Sequence, residues 1–143
     1  MADDNPSIMS HVSVGTNDME RACKFYDTVL STIGAKRIEE INLPDEGLVA
    51  VAYGKVFPEF WVNLPFDQKS AETANGVHFA FMTSSKEAVH AFWDAALEAG
   101  AVPDGDPGPR PQYGAPFYGC YVRDLDGHKI EAMYWDSELE EKE

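Results

Sequence analysis

The sequence predicts an α+β domain assembled from two copies of one strand–helix–strands unit, and three observations carry that prediction. First, the chain repeats itself at an offset of 67 residues: His11 returns as His78, Phe25 as Phe92, Tyr26 as Trp93 and Leu30 as Leu97. Internal self-similarity at a fixed offset is the mark of a duplicated structural unit. Second, each copy opens on a short alternating run, Ser10-His11-Val12-Ser13-Val14 and Val77-His78-Phe79-Ala80-Phe81, followed by a segment of helical periodicity. Third, each helical segment is followed by two or three further strand-like runs separated by turn residues.

The elements follow in order. The first strand is expected over Ile8–Val14, with Thr16 or Asn17 capping a helix that runs to about Ile33. Ala22, Phe25, Tyr26, Val29, Leu30 and Ile33 recur at i, i+3 and i+4 and form one apolar stripe, and Gly34 stands where a left-handed cap ends a helix. Strands are expected over Lys36–Ile41, Leu48–Tyr53 and Phe57–Asn63, divided by Pro44-Asp45-Glu46-Gly47 and by Gly54. The second copy begins with a strand over Val77–Met82. Ser84 or Ser85 then caps a helix over Lys86–Ala99, buried through Val89, Phe92, Trp93, Ala96 and Leu97. A Pro- and Gly-rich stretch from Pro103 to Gly114 reads as a long loop, and long loops in compact domains often carry function. Strands over Pro116–Val122 and His128–Trp135 close the unit around Asp126-Gly127, a strong hairpin signal. These boundaries divide a single domain into module one (about 7–64), a linker (about 65–75), module two (about 76–135) and an acidic tail (136–143). Neither module is large enough to cover its own sheet, so the two sheets are expected to come together.

Composition narrows the function classes. A chain of 143 residues with 44% hydrophobic and 25% charged side chains can bury a real core. The net charge of −14, from 11 basic and 25 acidic residues, includes no Lys/Arg cluster and argues against nucleic acid or an anionic membrane as partner. No run approaches the ~20 apolar residues that span a bilayer. The acidic N-terminus does not read as a signal peptide and the two cysteines form no disulfide framework, so a cytoplasmic protein acting on a small molecule is expected.

The residues His11, Asp18-Met19-Glu20-Arg21-Ala22, Phe25-Tyr26, Gly76-Val77-His78-Phe79-Ala80-Phe81 and Asp124-Leu125-Asp126-Gly127-His128-Lys129-Ile130-Glu131 resemble the vicinal oxygen chelate superfamily. That superfamily holds glyoxalase I, extradiol dioxygenases and the fosfomycin- and bleomycin-resistance proteins. Leu125 replaces the Pro of the family's Asp-Pro-Asp-Gly signature. The resemblance spans about Ile8 to Trp135. It implies two βαβββ modules curled into a cup with a divalent metal at its base, and a homodimer, sometimes formed by exchange of modules.

On alternating strands His11 shares a face with Met9 and Ser13, and His78 with Ala80 and Met82. Glu131 lies between Ile130 and Ala132, where an unpaired carboxylate would be protonated or excluded. A cation would satisfy all three side chains. His11, His78 and Glu131 form a 2-His-1-carboxylate set suited to Zn, Ni, Mn or Fe(II). Alternatively, each His simply hydrogen-bonds within the core.

Glyoxalase I carries a fourth ligand, Glu or Gln, on the last strand of module one. The simplest alignment puts Trp61 there. Glu59, Trp61 and Asn63 share one face, however, and a shift of one pair would bring Glu59 to the metal. Glu131 and Glu59 are the candidate proton carriers. Trp61, Tyr113 and Tyr118 are candidate walls of a substrate cup, and Arg110 a lid cation for an anionic substrate or an exposed loop residue. Two functions compete: a metal-dependent enzyme acting on vicinal oxygens (lyase or isomerase, dioxygenase or transferase), and a metal-free binding protein of bleomycin-resistance type. A stress-related or regulatory protein with a vestigial site is a third reading.

Overall fold

The computed structural model describes residues 4–141. Module one comprises β1 (Val12–Gly15), α1 (Met19–Ser31), β2 (Lys36–Leu43), β3 (Leu48–Gly54) and β4 (Phe60–Asn63). Module two comprises β5 (His78–Met82), α2 (Lys86–Glu98), β6 (Val102–Pro109), β7 (Phe117–Arg123) and β8 (Lys129–Trp135). Each forms a four-stranded mixed sheet of the same topology, β1-β4-β3-β2 and β5-β8-β7-β6, in which the first strand pairs parallel to the last.

Helix α1 starts at Asp18, whose Oδ1 accepts from the Arg21 N–H at 3.0 Å, and α2 starts at Ser85, whose Oγ accepts from the Ala88 N–H at 3.0 Å. The cap of α1 is therefore Asp18 and not Thr16 or Asn17. Thr16 Oγ1 is taken up with the backbone of Asp18 instead. The apolar stripes of both helices lie on one face of their sheets. Phe25, Tyr26, Val29, Leu30, Val89, Phe92 and Ala96 form a single buried cluster with Val51, Tyr53, Phe60, Val62, Cys120, Val122, Ile130 and Ala132.

Two expected elements differ. The first strand begins at Val12, not Ile8. The Val12 N–H donates to Glu59 O, and further pairing stops there because Pro58 has no N–H and residues 55–57 turn away. Ile8 and Met9 are consequently exposed. The expected Pro/Gly-rich loop is largely a strand, β6, pairing with β7 in an irregular register. It is an edge strand, where proline is tolerated because the lost N–H would face solvent.

The modules meet along their helix-bearing sides. α1 packs on α2, and the Phe60 ring lies against those of Phe79 and Phe81, with centroids 6.3 and 5.1 Å apart. A second tie comes from the Asp124–His128 turn of module two. Tyr26 Oη donates to the buried Asp124 Oδ2, the Asn17 N–H to Asp126 Oδ1 at 3.1 Å, and His128 Nε2 to Gly15 O at 2.6 Å. No ladder joins β1 to β5 among the described residues. The two sheets stay separate, and the edges of β1 and β5 flank shared crevices.

Candidate functional site

With one face of each sheet packed against its helix, the other is left open. On module two the open face carries His78, Lys129, Glu131 and Tyr121, fixed by the pairings His78↔Lys129, Ala80↔Glu131 and Tyr121↔Glu131. His78 Nε2 lies 3.2 Å from Glu131 Oε1. Glu131 is only 3% exposed, and its Oε2 is enclosed without a hydrogen-bond partner. Burial pushes this carboxyl above the ordinary range, against the opposing pull of His78, Arg110 and Lys129. Across the sheet, a Cβ on Gly119 would stand 3.6 Å from Oε2, so glycine keeps the carboxylate's surroundings open.

Two cations flank the Tyr121 ring: Lys129 Nζ at 4.9 Å and Arg110 Cζ at 5.5 Å from its centroid. Arg110 spends its donors on Asp106 O (2.6 Å), Gly108 O (2.9 Å) and Pro109 O (3.3 Å), and so braces the end of β6. Tyr113 is exposed and meets Phe117 edge-on at 5.4 Å. Tyr118 points the other way, to the α2 side, where its hydroxyl lies 2.6 Å from His90 Nε2.

Module one presents a different open face. His11 precedes β1, is exposed, and has Nδ1 2.9 Å from Ser10 Oγ. It borders a cavity of about 260 Å3 together with Trp61, Asn63, Leu48, Leu64 and Phe66. The register fixes which residue matches Glu131: in module two Ala80 opposes Glu131, and at the equivalent place in module one Ser13 opposes Trp61. An indole thus stands where module two has its carboxylate. Glu59 lies one pair earlier, before β4, and borders a larger crevice of about 450 Å3 between the modules, with Lys55 and Met9.

The structure therefore brings His78 and Glu131 together and leaves His11 on the other module's face. Among the described residues no three His, Cys, Asp or Glu side chains converge as a metal cage. The enclosed, unpartnered Oε2 of Glu131 beside an imidazole fits two ligands of a divalent ion, and a third has to come from elsewhere. Lys129 and Gly119 escaped sequence reasoning, although counting in twos from Glu131 puts Lys129 on the same face. Phe66, outside any strand, gave no periodic signal.

The sequence profile described as Glyoxalase/Bleomycin resistance protein/Dioxygenase superfamily matches residues 8–132. Among solved structures, the chain is similar to a glyoxalase/bleomycin resistance protein from Albidiferax ferrireducens T118, at 32% identity and a TM-score of 0.76, over 90% of this chain and 98% of that one. A glyoxalase/bleomycin resistance protein/dioxygenase family enzyme from Burkholderia phytofirmans PsJN shares the fold at 21% identity, with a TM-score of 0.67 over 88% and 97% of the two chains. The trypanothione-dependent glyoxalase I of Leishmania major does so at 17% identity, with a TM-score of 0.63 over 90% and 86%. No curated protein matches the chain.

Proposed function

Because the chain belongs to the Glyoxalase/Bleomycin resistance protein/Dioxygenase superfamily, we propose that it is a divalent-metal-dependent enzyme acting on a small molecule with vicinal oxygens, in lyase or isomerase, dioxygenase or transferase chemistry. The observation that carries this reading is Glu131: a nearly buried carboxylate with one oxygen enclosed and unpartnered and the other 3.2 Å from His78. An arrangement of this kind is costly unless something positive completes it.

In this reading His78 and Glu131 of one copy and His11 of a second copy hold Zn, Ni, Mn or Fe(II), in a cytoplasmic homodimer. Support for a second copy comes from the exposed apolar side chains of both modules, Leu43, Leu48, Leu64 and Phe66 on one and Val77, Met82, Tyr113 and Trp135 on the other. Support for the compartment comes from two buried cysteines that form no disulfide. When bound, the ion supplies Lewis acidity toward substrate oxygens. Glu131 carries the proton, since burial already favours its protonated form. Lys129 sets a positive charge beside it and Tyr121 gives it a wall. Metal analysis of the purified protein, before and after reconstitution, tests the reading: about one divalent ion per His78–Glu131 pair is expected, and none would overturn it.

Trp61 favours a second reading, a metal-free protein that sequesters a flat molecule, because an indole replaces the carboxylate on module one. Tight binding of such a molecule by a protein that takes up no metal would select it.

A further inference from the structure

Trp61 does more than leave a ligand position vacant. Its cross-strand neighbours on the open face are Ser13 and Ala52, both small, so no neighbouring side chain stacks on the indole from either strand. The surrounding cavity of about 260 Å3 is walled by Leu48, Leu64 and Phe66, which are 39%, 37% and 72% exposed. A half-buried aromatic with free flanks and apolar walls offers a slot for something flat.

The polar groups of the slot have a single character. The Trp61 indole N–H has no hydrogen-bond partner in the chain, and Nε2 of His11 is likewise free because only Nδ1 is engaged, by Ser10. No Lys, Arg, Asp or Glu borders the cavity. In a chain of net charge −14, the absence of a lining cation disfavours an anion, and the absence of a lining carboxylate gives a cation no counter-charge. What remains is a neutral ring system carrying a hydrogen-bond acceptor.

We infer that the open face of module one is a binding slot for a neutral planar aromatic molecule bearing a carbonyl-type oxygen, with the ring against Trp61 and the oxygen accepting from the indole N–H, assisted by His11. This deepens the reading above, since the slot lies on the face that supplies His11. It specifies the substrate's class, and it requires no metal.

The test uses full-length protein stripped of metal with a chelator and titrated with 2-acetylnaphthalene or with 2-isopropenylnaphthalene, which has the same shape but no acceptor. The three Trp indole N–H resonances are followed by 15N NMR, with that of Trp61 identified by its loss in Trp61→Phe. The ketone is expected to bind roughly fivefold more tightly than the alkene, the size of one net hydrogen bond, and to move the Trp61 resonance first. Trp61→Phe is expected to keep the other two indole resonances in place and to bind both probes equally. His11→Ala is expected to reduce the preference without abolishing it. Equal affinity of the native protein for the two probes, no binding, or a response confined to Trp93 or Trp135 would overturn the inference. Ketone preference in a protein that never takes up metal would remove the enzyme reading alone, and metal uptake without the preference would remove the slot alone.

Discussion

The two modules share one topology and present two different open faces. Module two offers a buried acid beside an imidazole, with Lys129 and Arg110 about Tyr121. Module one, at matched register, offers an indole in an apolar hollow with an exposed His at its edge. Helix-side burial was kept in both copies, because every module must cover one face of its sheet. The open faces were free to diverge, and they divided the work: one suits proton and metal chemistry, the other the body of a ligand. The helix sides differ in detail as well. Tyr26 is buried and bonded to Asp124, whereas its counterpart Trp93 is half-buried, and Asp27 is paired to Arg37, whereas its counterpart Asp94 is exposed.

The sharpest way to break this division is to exchange losses between the matched positions. Glu131→Ala is expected to abolish bound metal, while Trp61→Phe leaves it unchanged, as read by metal analysis after reconstitution. Equal losses would show that the two faces are not specialised.

Core truncations come next. Phe25→Ala and Phe92→Ala remove matched, fully buried rings and should each cost about 3–5 kcal/mol in denaturant unfolding. A large inequality would mean that the modules do not share one cooperative core. Smaller again is Tyr26→Phe, which leaves the buried Asp124 Oδ2 without its phenol donor. A loss of about 1–3 kcal/mol is expected, against a minor change for Trp93→Phe.

The smallest effect depends on pH. Burial alone would raise the Asp27 carboxyl, but hydrogen bonds from Arg37 and Tyr53 hold it below its ordinary value of 3.8. A depressed folded-state pKa contributes stability above the ordinary value and loses it as pH falls through the folded one. Asp27→Asn should therefore cost at most about 1 kcal/mol at neutral pH, since the pair is partly exposed, and the cost should fade in acid. Asp94→Asn should show neither effect.

Much of this was legible in the sequence. The 67-residue repeat carried the topology, and the helix stripes carried the core, because periodicity records burial directly. The His78–Glu131 pair was readable from alternation and the Asp-x-Asp-Gly turn. What escaped depended on pairing partners. The start of β1 was set by Pro58 on another strand, β6 was disguised by edge prolines, and Tyr118 faced away because its strand's phase is fixed by β8. The choice between Glu59 and Trp61 needed the register itself, which one sequence does not state.

The central claim is that the acid face of one copy is completed by the His11 face of another. It is tested most directly by co-refolding His11→Ala with Glu131→Ala and measuring bound metal. Each variant alone should bind none. If the site spans two copies, a random mixture pairs half its chains as heterodimers, each with one intact and one doubly altered site, so occupancy should recover to about a quarter of wild type. Recovery at that level supports the account, and a mixture as empty as its components contradicts it.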